Sequence, residues 1–349
     1  MRHGLIQWDE ADLSTESVRA RQARLQQALV DEGLDGLLIY TNHVRSAAVT
    51  WATGFTPYWS DALWLQPTEG APLFATALSK RVGNWIAATN PTSEIEHSPK
   101  PGGLIGARLT RLGAARLGVV ELDRMPAGLM AEVVDTCKAE LVDATELFAA
   151  VRAAPEAVEA QLAVKAAAIA DEALASIPAL RTCAGDVMQA VELSARLAGA
   201  EEVYVAVAPD LSRDTRFARV KGATPLAARF AIRVTLARHG VWIRRIATFA
   251  RDHDDGTLAK IATWFDTACL DLAPVSGLAN KLSETPLPAG LNLTAWFVEA
   301  PAVGRPLQIV GEDGQDLVRT YGMANLTLCL SSNDGPVLLG GPLLTKQTL

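Results

Sequence analysis

Two apolar runs, RFAIRVTLA at 229–237 and GVWIRRIATFA at 240–250, are separated only by Arg238 and His239. That spacing predicts a β-hairpin with Gly240 at a positive-φ turn position. With the turn centred between Arg238 and His239, Arg233 lies directly opposite Arg244; a slip of one residue puts Arg245 there instead. In either register two guanidinium groups meet across the strands, and like charges about 4 Å apart repel by about 4 kcal/mol at an effective dielectric near 20. Splaying into solvent or pairing with distant acids would relieve this. So would a small anion, since planar guanidinium groups bind carboxylates bidentately. The segment before the hairpin, PDLSRDTRFARVKG at 209–222, adds Arg213, Arg216, Arg219 and Lys221, with Asp214 among them. It reads either as a solvated face or as further positive charge around one cavity.

Other reactive side chains are sparse. His239 sits in the hairpin turn and His253 in the polar RDHDDG loop, so both read as surface histidines. Cys329 lies on an apolar run, but no histidine is placed to activate it as a nucleophile. The four cysteines are far apart, without C-x-x-C spacing, and read as reduced thiols of a cytoplasmic protein. The N-terminal stretch has no apolar core of a secretory signal, and no stretch reaches the length of a membrane span. The net charge of −7 gives no bulk attraction to nucleic acid or to an anionic membrane. Any positive site is therefore local.

The elements that must position these groups fall into two textures. Residues 17–33 read as a helix ending near Gly33, followed by the buried strand DGLLIYT. Short apolar runs follow (AVTWATGF, ALWLQP, APLFATAL, LGVVELD), with turn signals and helical stretches between them. This is the pattern of an α/β domain over residues 1–150. From Ala153 the texture changes to an Ala-rich helix with Pro155 in its first turn, then a helix after Gly185 with Asp186 as a possible cap. The hairpin, a helix near 256–272 and strands in LNLTAWFVEAP, MANLTLCLSS and GPVLLGGPLLT complete a second domain over 153–349.

Three segments carry a resemblance: RQARLQQALVDEGLDGLLIYT with TGF at 53–55, the helix at 155–175, and GLNLTAWFVEAP at 290–301. On these the chain resembles the creatinase, prolidase and aminopeptidase P family. The last segment falls on that family's G-H-G-x-G-L-x-x-H-E-x-P motif at Gly290, Glu299 and Pro301. The resemblance implies an α/β N-terminal domain plus an α+β pita-bread C-terminal domain like that of methionine aminopeptidase. It also implies a homodimer in which loops of one N-terminal domain reach the neighbour's pocket. His43, Arg45, Trp51, Phe55, Tyr58 and Trp59 are the candidates for that contact.

The family's two metal ions need two Asp from the hairpin, one His and two Glu. Here the Asp positions, eleven residues apart, fall on Arg233 and Arg244. The motif histidines fall on Leu291 and Val298, and the two Glu near Leu328 and Gly340. Such a set cannot hold a divalent ion, so the expectation is a degenerate member with no metal and no other cofactor. Creatinase works without metal, through a histidine before the hairpin, but residues 209–222 contain none. Two functions follow. One is a metal-independent C–N hydrolase or lyase on a small carboxylate-bearing compound, with Arg233, Arg244, Arg216 and Arg245 binding the anion and Glu299 and Asp214 handling protons. The other is an inactive pseudopeptidase serving as a binding or scaffold protein.

Overall fold

The computed structural model describes residues 8–57, 60–177, 182–251, 256–272, 277–313, 315, 317 and 321–344. The chain divides into two compact units, residues 1–153 with 302–306, and 154–301 with 307–349.

The first unit runs α1 (Thr15–Asp31), β1 (Gly36–Thr41), α2 (Ala47–Thr53), β2 (Ala62–Pro67), β3 (Leu73–Thr76), α3 (Gly83–Thr89), β4 (Glu94–His97), α4 (Pro101–Leu112), β5 (Arg116–Val120), α5 (Ala127–Thr136), β6 (Glu140–Asp143) and α6 (Thr145–Ala153). Its six strands form one mixed sheet in the order β4-β3-β2-β1-β5-β6. The Ser14 hydroxyl accepts the Ser17 N–H to start α1, whose Val18, Leu25 and Leu29 are buried, and Gly33 leaves the helix at φ +63°. One sequence expectation changes here. The AVTWATGF run is not strand-like but helical over Ala47–Thr53, with every residue of that helix buried. Uniform burial erases the periodicity that separates helix from strand.

The second unit runs α7 (Ala157–Ala175), α8 (Ala184–Leu197), β7 (Glu202–Ala208), β8 (Arg229–Arg238), β9 (Val241–Ala250), α9 (Thr257–Leu272), α10 (Leu278–Glu284), β10 (Asn292–Ala300), β11 (Gln308–Glu312), β12 (Ala324–Ser332) and β13 (Gly335–Leu343). Its seven-stranded sheet has the order β11-β10-β12-β13-β9-β8-β7, so the sequence-distant β13 and β9 become neighbours. With the first unit's sheet and helices, this is the N-terminal α/β domain plus pita-bread architecture expected from the resemblance. Small side chains at Ala160, Ala163, Ala166 and Ala170 let α7 lie close against the β8–β9 pair. In α8 the N-cap position belongs to Cys183, and Asp186 lies in the first turn rather than at the cap. The strands β7 and β11 and the helix α10 were not anticipated. Among the described residues, no helix is long and apolar enough to cross a membrane.

Candidate anion site on the inner face of the hairpin

The hairpin register differs from both sequence expectations. The turn is His239–Gly240, with Arg238 paired to Val241, so Arg233 faces Ile246, Arg244 faces Thr235 and Arg245 faces Val234. Both turn residues have positive φ, 47° at His239 and 73° at Gly240. A two-residue hairpin turn of this kind asks for such angles at both positions, and glycine or asparagine meets that demand more easily than histidine. The Glu201 carboxylate accepts the N–H groups of His239 (2.5 Å) and Gly240 (3.3 Å), which holds the turn. His239 is buried, not at the surface.

The two-residue offset keeps each side chain on its face but changes its neighbours. Arg233 and Arg244 share a face as diagonal neighbours, about 7–8 Å apart at the Cα atoms, rather than a directly opposed pair. Arg245 points the other way, towards the helices. Its Nε and Nη2 donate to Asp171 of α7 (2.7 and 3.0 Å) and its Nη1 to Asp266 of α9 (2.7 Å). Burial alone would lower its pKa; the hydrogen bonds and charge of the two aspartates outweigh this and raise it. Arg245 is a helix anchor and takes no part in the inner face.

On the inner face, strand pairing lays two rows of residues across the sheet. One runs Phe297, Thr327, Gly340, Ile246, Arg233 and Ala206. Gly340 has its place because a Cβ there would stand 2.9 Å from the Ile246 side chain. The other row holds Glu299, Asn325 and Pro342 on one side, and Arg244, Thr235 and Tyr204 on the other. Strands β13 and β9 pair only at Gly340 and Ile246. The Arg244 backbone N–H therefore has no ladder partner on β13 and donates to Asn325 Oδ1 at 2.8 Å. The Arg244 guanidinium donates from Nη1 to Glu299 Oε2 and from Nε to Thr235 Oγ1 (3.0 Å). The side chains of this ion pair are 15% and 8% exposed, so it lies largely out of water.

Arg233 differs. Its guanidinium lies over the Phe217 ring, 5.0 Å from the centroid, and no hydrogen bond or ion pair engages it among the described residues. Burial and the Arg244 charge lower its pKa, and Glu299 opposes them. Nearby on β12, Asn325 and Thr327 are 1% and 2% exposed, and Asn325 Nδ2 and Thr327 Oγ1 have no hydrogen-bond partner. Unpaired buried polar atoms are unusual, because each costs about 1–3 kcal/mol. The face thus offers a guanidinium, an amide N–H₂ and a hydroxyl, all of which donate, and a carboxylate already taken by Arg244.

The remaining candidates lie elsewhere. Asp214 and Arg216 pair with each other on an exposed loop, through Nε and Nη2 at 2.8–3.0 Å, and the Arg216 side chain is 87% exposed. Hydrogen bonds from the Arg216 side chain and backbone hold the Asp214 carboxyl down at about 2. Arg213 pairs with Asp210. What this loop brings to the hairpin is Phe217, which the sequence reading passed over because an aromatic carries no charge. Cys329 is on the inner face, but burial pushes its thiol up. Leu291, Val298 and Leu328 join the apolar core with α9 and α10. In the first unit, Arg45 pairs with Glu121 at 2.8 Å, and Trp51 and Phe55 are core residues. Tyr58, Trp59 and His253 lie outside the described residues.

A divalent metal does not fit this set. Among the described residues, no group of three or more His, Cys, Asp or Glu could hold one. The charged side chains that share the inner face are two guanidinium groups, Arg233 and Arg244, and one carboxylate, Glu299.

Residues 21–154 match the Creatinase/Prolidase N-terminal domain model. The fold is similar to that of the prolidase from Pyrococcus horikoshii OT3 over 94% of this chain and 96% of that one, at 14% identity and a TM-score of 0.66. It is also similar to the X-Pro aminopeptidase from Thermotoga maritima MSB8 (93% and 95%, 14% identity, TM-score 0.66) and to the Xaa-Pro dipeptidase from Bacillus anthracis (95% and 96%, 15% identity, TM-score 0.62). No curated protein matches the chain in sequence.

Proposed function

Because residues 21–154 match the Creatinase/Prolidase N-terminal domain model and the chain shares the fold of prolidases and an X-Pro aminopeptidase, yet arginines stand where the resemblance expects metal-binding aspartates, we propose that its second unit binds a small carboxylate without a divalent metal centre. The observation that carries this reading is Arg233, a partly buried cation on the inner face with no acid of its own. One carboxylate oxygen pair would take the Arg233 fork. The Asn325 Nδ2 and Thr327 Oγ1 groups, on β12 of the same sheet, are unpaired donors on that face. Phe217 holds the guanidinium plane, and the Arg244–Glu299 pair fixes the charge beside it without competing for the ligand. Such a site binds; it does not by itself move protons. On this reading the protein is a carboxylate-binding pseudopeptidase, a cytoplasmic homodimer.

One observation favours a second reading, a metal-independent C–N hydrolase. Glu299 is a buried carboxylate at the site, the group such chemistry would use as acid and base. The two readings separate by turnover of small N-substituted amino acids and guanidino acids with wild type and Glu299→Gln.

Binding is tested by thermal shift with succinate, proline and guanidinoacetate, each with EDTA and with manganese. A ligand at a hundred times its dissociation constant stabilises by about 2.7 kcal/mol. The proposal expects carboxylates to stabilise the wild type, manganese to add nothing, and Arg233→Met to lose the response. Stabilisation by manganese that EDTA reverses, or an unchanged response in Arg233→Met, refutes it.

A further inference from the structure

A cavity of about 450 Å³ lies wholly within the first unit, between α1, the end of β2 and the segment leading into β4. Three glutamines line it: Gln22 and Gln26, one turn apart on α1, and Gln66 on β2. Their amide orientations are fixed by what each nitrogen meets. Gln22 Nε2 donates to Ala52 O (3.0 Å) and Thr92 Oγ1 (2.8 Å). Gln26 Nε2 donates to Pro67 O (3.2 Å) and Gly70 O (3.4 Å), and Gln66 Nε2 to Pro67 O (3.0 Å). Flipping any of the three would set its oxygen against a carbonyl oxygen. The nitrogens are thus engaged, and none of the three side-chain oxygens takes a hydrogen bond from the partners its nitrogen meets. For Gln66 this carries a cost, because the residue is fully buried and its Oε1 is unpartnered.

The charges around the cavity set the rest of the ligand. Its one carboxylate, Glu94, is already paired with Arg108, and the exposed Arg19 lines the cavity as well. The wall is rich in acceptors but not net negative, so it offers nothing to offset the desolvation of a cation. A neutral group with two or more N–H donors and one carbonyl meets both features: the N–H groups face the glutamine oxygens and the carbonyl faces the Arg19 guanidinium. We propose that this cavity is a binding site for a small uncharged ureido or primary carboxamide group. It shares no residue with the arginine site of the second unit.

Propylurea and butyramide are the probes, because neither carries a carboxylate that Arg233 could take; methyl butyrate keeps the carbonyl and lacks the N–H donors. Titration calorimetry and ligand-observed NMR on the full chain should show saturable binding of both amide probes, and binding of methyl butyrate at least about tenfold weaker. Gln66→Leu, which removes the orphan acceptor, should weaken both probes about tenfold or more without lowering the melting temperature, while Arg233→Met binds them as wild type does. If Gln66→Leu does not fold, Gln26→Leu on the partly exposed face of α1 gives the same reading. The proposal is overturned if neither amide probe binds, if methyl butyrate binds equally well, or if the glutamine variant that folds binds the probes as wild type does.

Discussion

The two faces of one hairpin treat their arginines in opposite ways. On the helix side Arg245 is met by Asp171 and Asp266, with three nitrogens engaged at 2.7–3.0 Å. On the inner side Arg244 takes the carboxylate of Glu299, and among the described residues Arg233 has a phenyl ring in place of an acid. An arginine that only builds the fold is supplied with acids by the fold itself. One left without acids in a partly buried position either destabilises the chain or waits for an anion. That contrast separates a structural cation from a binding one, and substitutions can break it at either end.

The largest effect is expected at Glu299. Glu299→Ala leaves Arg244 as a buried cation without its acid and should destabilise by about 3–5 kcal/mol. The double variant Arg244→Met with Glu299→Leu should recover most of that loss in urea denaturation, since a buried ion pair and an apolar pair of similar volume are of comparable stability. On the helix side Arg245→Met should cost less, about 1–2 kcal/mol, because the two orphaned aspartates are roughly half exposed and water takes them back. Arg233→Met is expected to lie within about 0.5 kcal/mol of wild type without ligand, since it removes a desolvated cation beside a like charge. A loss of several kcal/mol there would make Arg233 structural and erase the contrast.

The smallest effect concerns the hairpin tip. Burial raises the Glu201 carboxyl to about 7 from 4.5, against the N–H groups of His239 and Gly240, which lower it. A raised folded-state pKa means that the folded chain holds this proton where the unfolded chain has lost it. The associated stability is complete below about pH 4.5 and is lost as pH climbs to about 7. Glu201→Gln should flatten the pH dependence of the denaturation midpoint across that window. An unchanged slope would mean that Glu201 stays ionised in the fold.

The elements were legible where burial is one-sided, and the motif at 290–301 carried the family resemblance. Two apolar runs separated by only Arg238 and His239 placed the β8–β9 hairpin, and the Ala-rich composition placed α7. The register was not legible, because it depends on His239 adopting a positive φ that its side chain disfavours. What permits this is Glu201, distant in sequence and marked by no local pattern. Of the candidate residues read from the sequence, Arg233, Arg244 and Glu299 lie on one face of the sheet. Asp214 and Arg216 were grouped with them because a cluster of charge near a site reads alike whether it faces the site or pairs with itself. Asn325 and Thr327 were missed. Inside a run of leucines they read as ordinary strand residues, and only the structure shows that Asn325 Nδ2 and Thr327 Oγ1 lack partners.

Crystals grown with succinate and manganese, with diffraction recorded at the manganese absorption edge, test the central claim most directly. The account predicts a planar carboxylate against Arg233 on the inner face and no anomalous signal between β8 and β12. A manganese peak among Arg233, Arg244 and Glu299, or an Arg233 head turned into bulk solvent with no ligand against it, would contradict it.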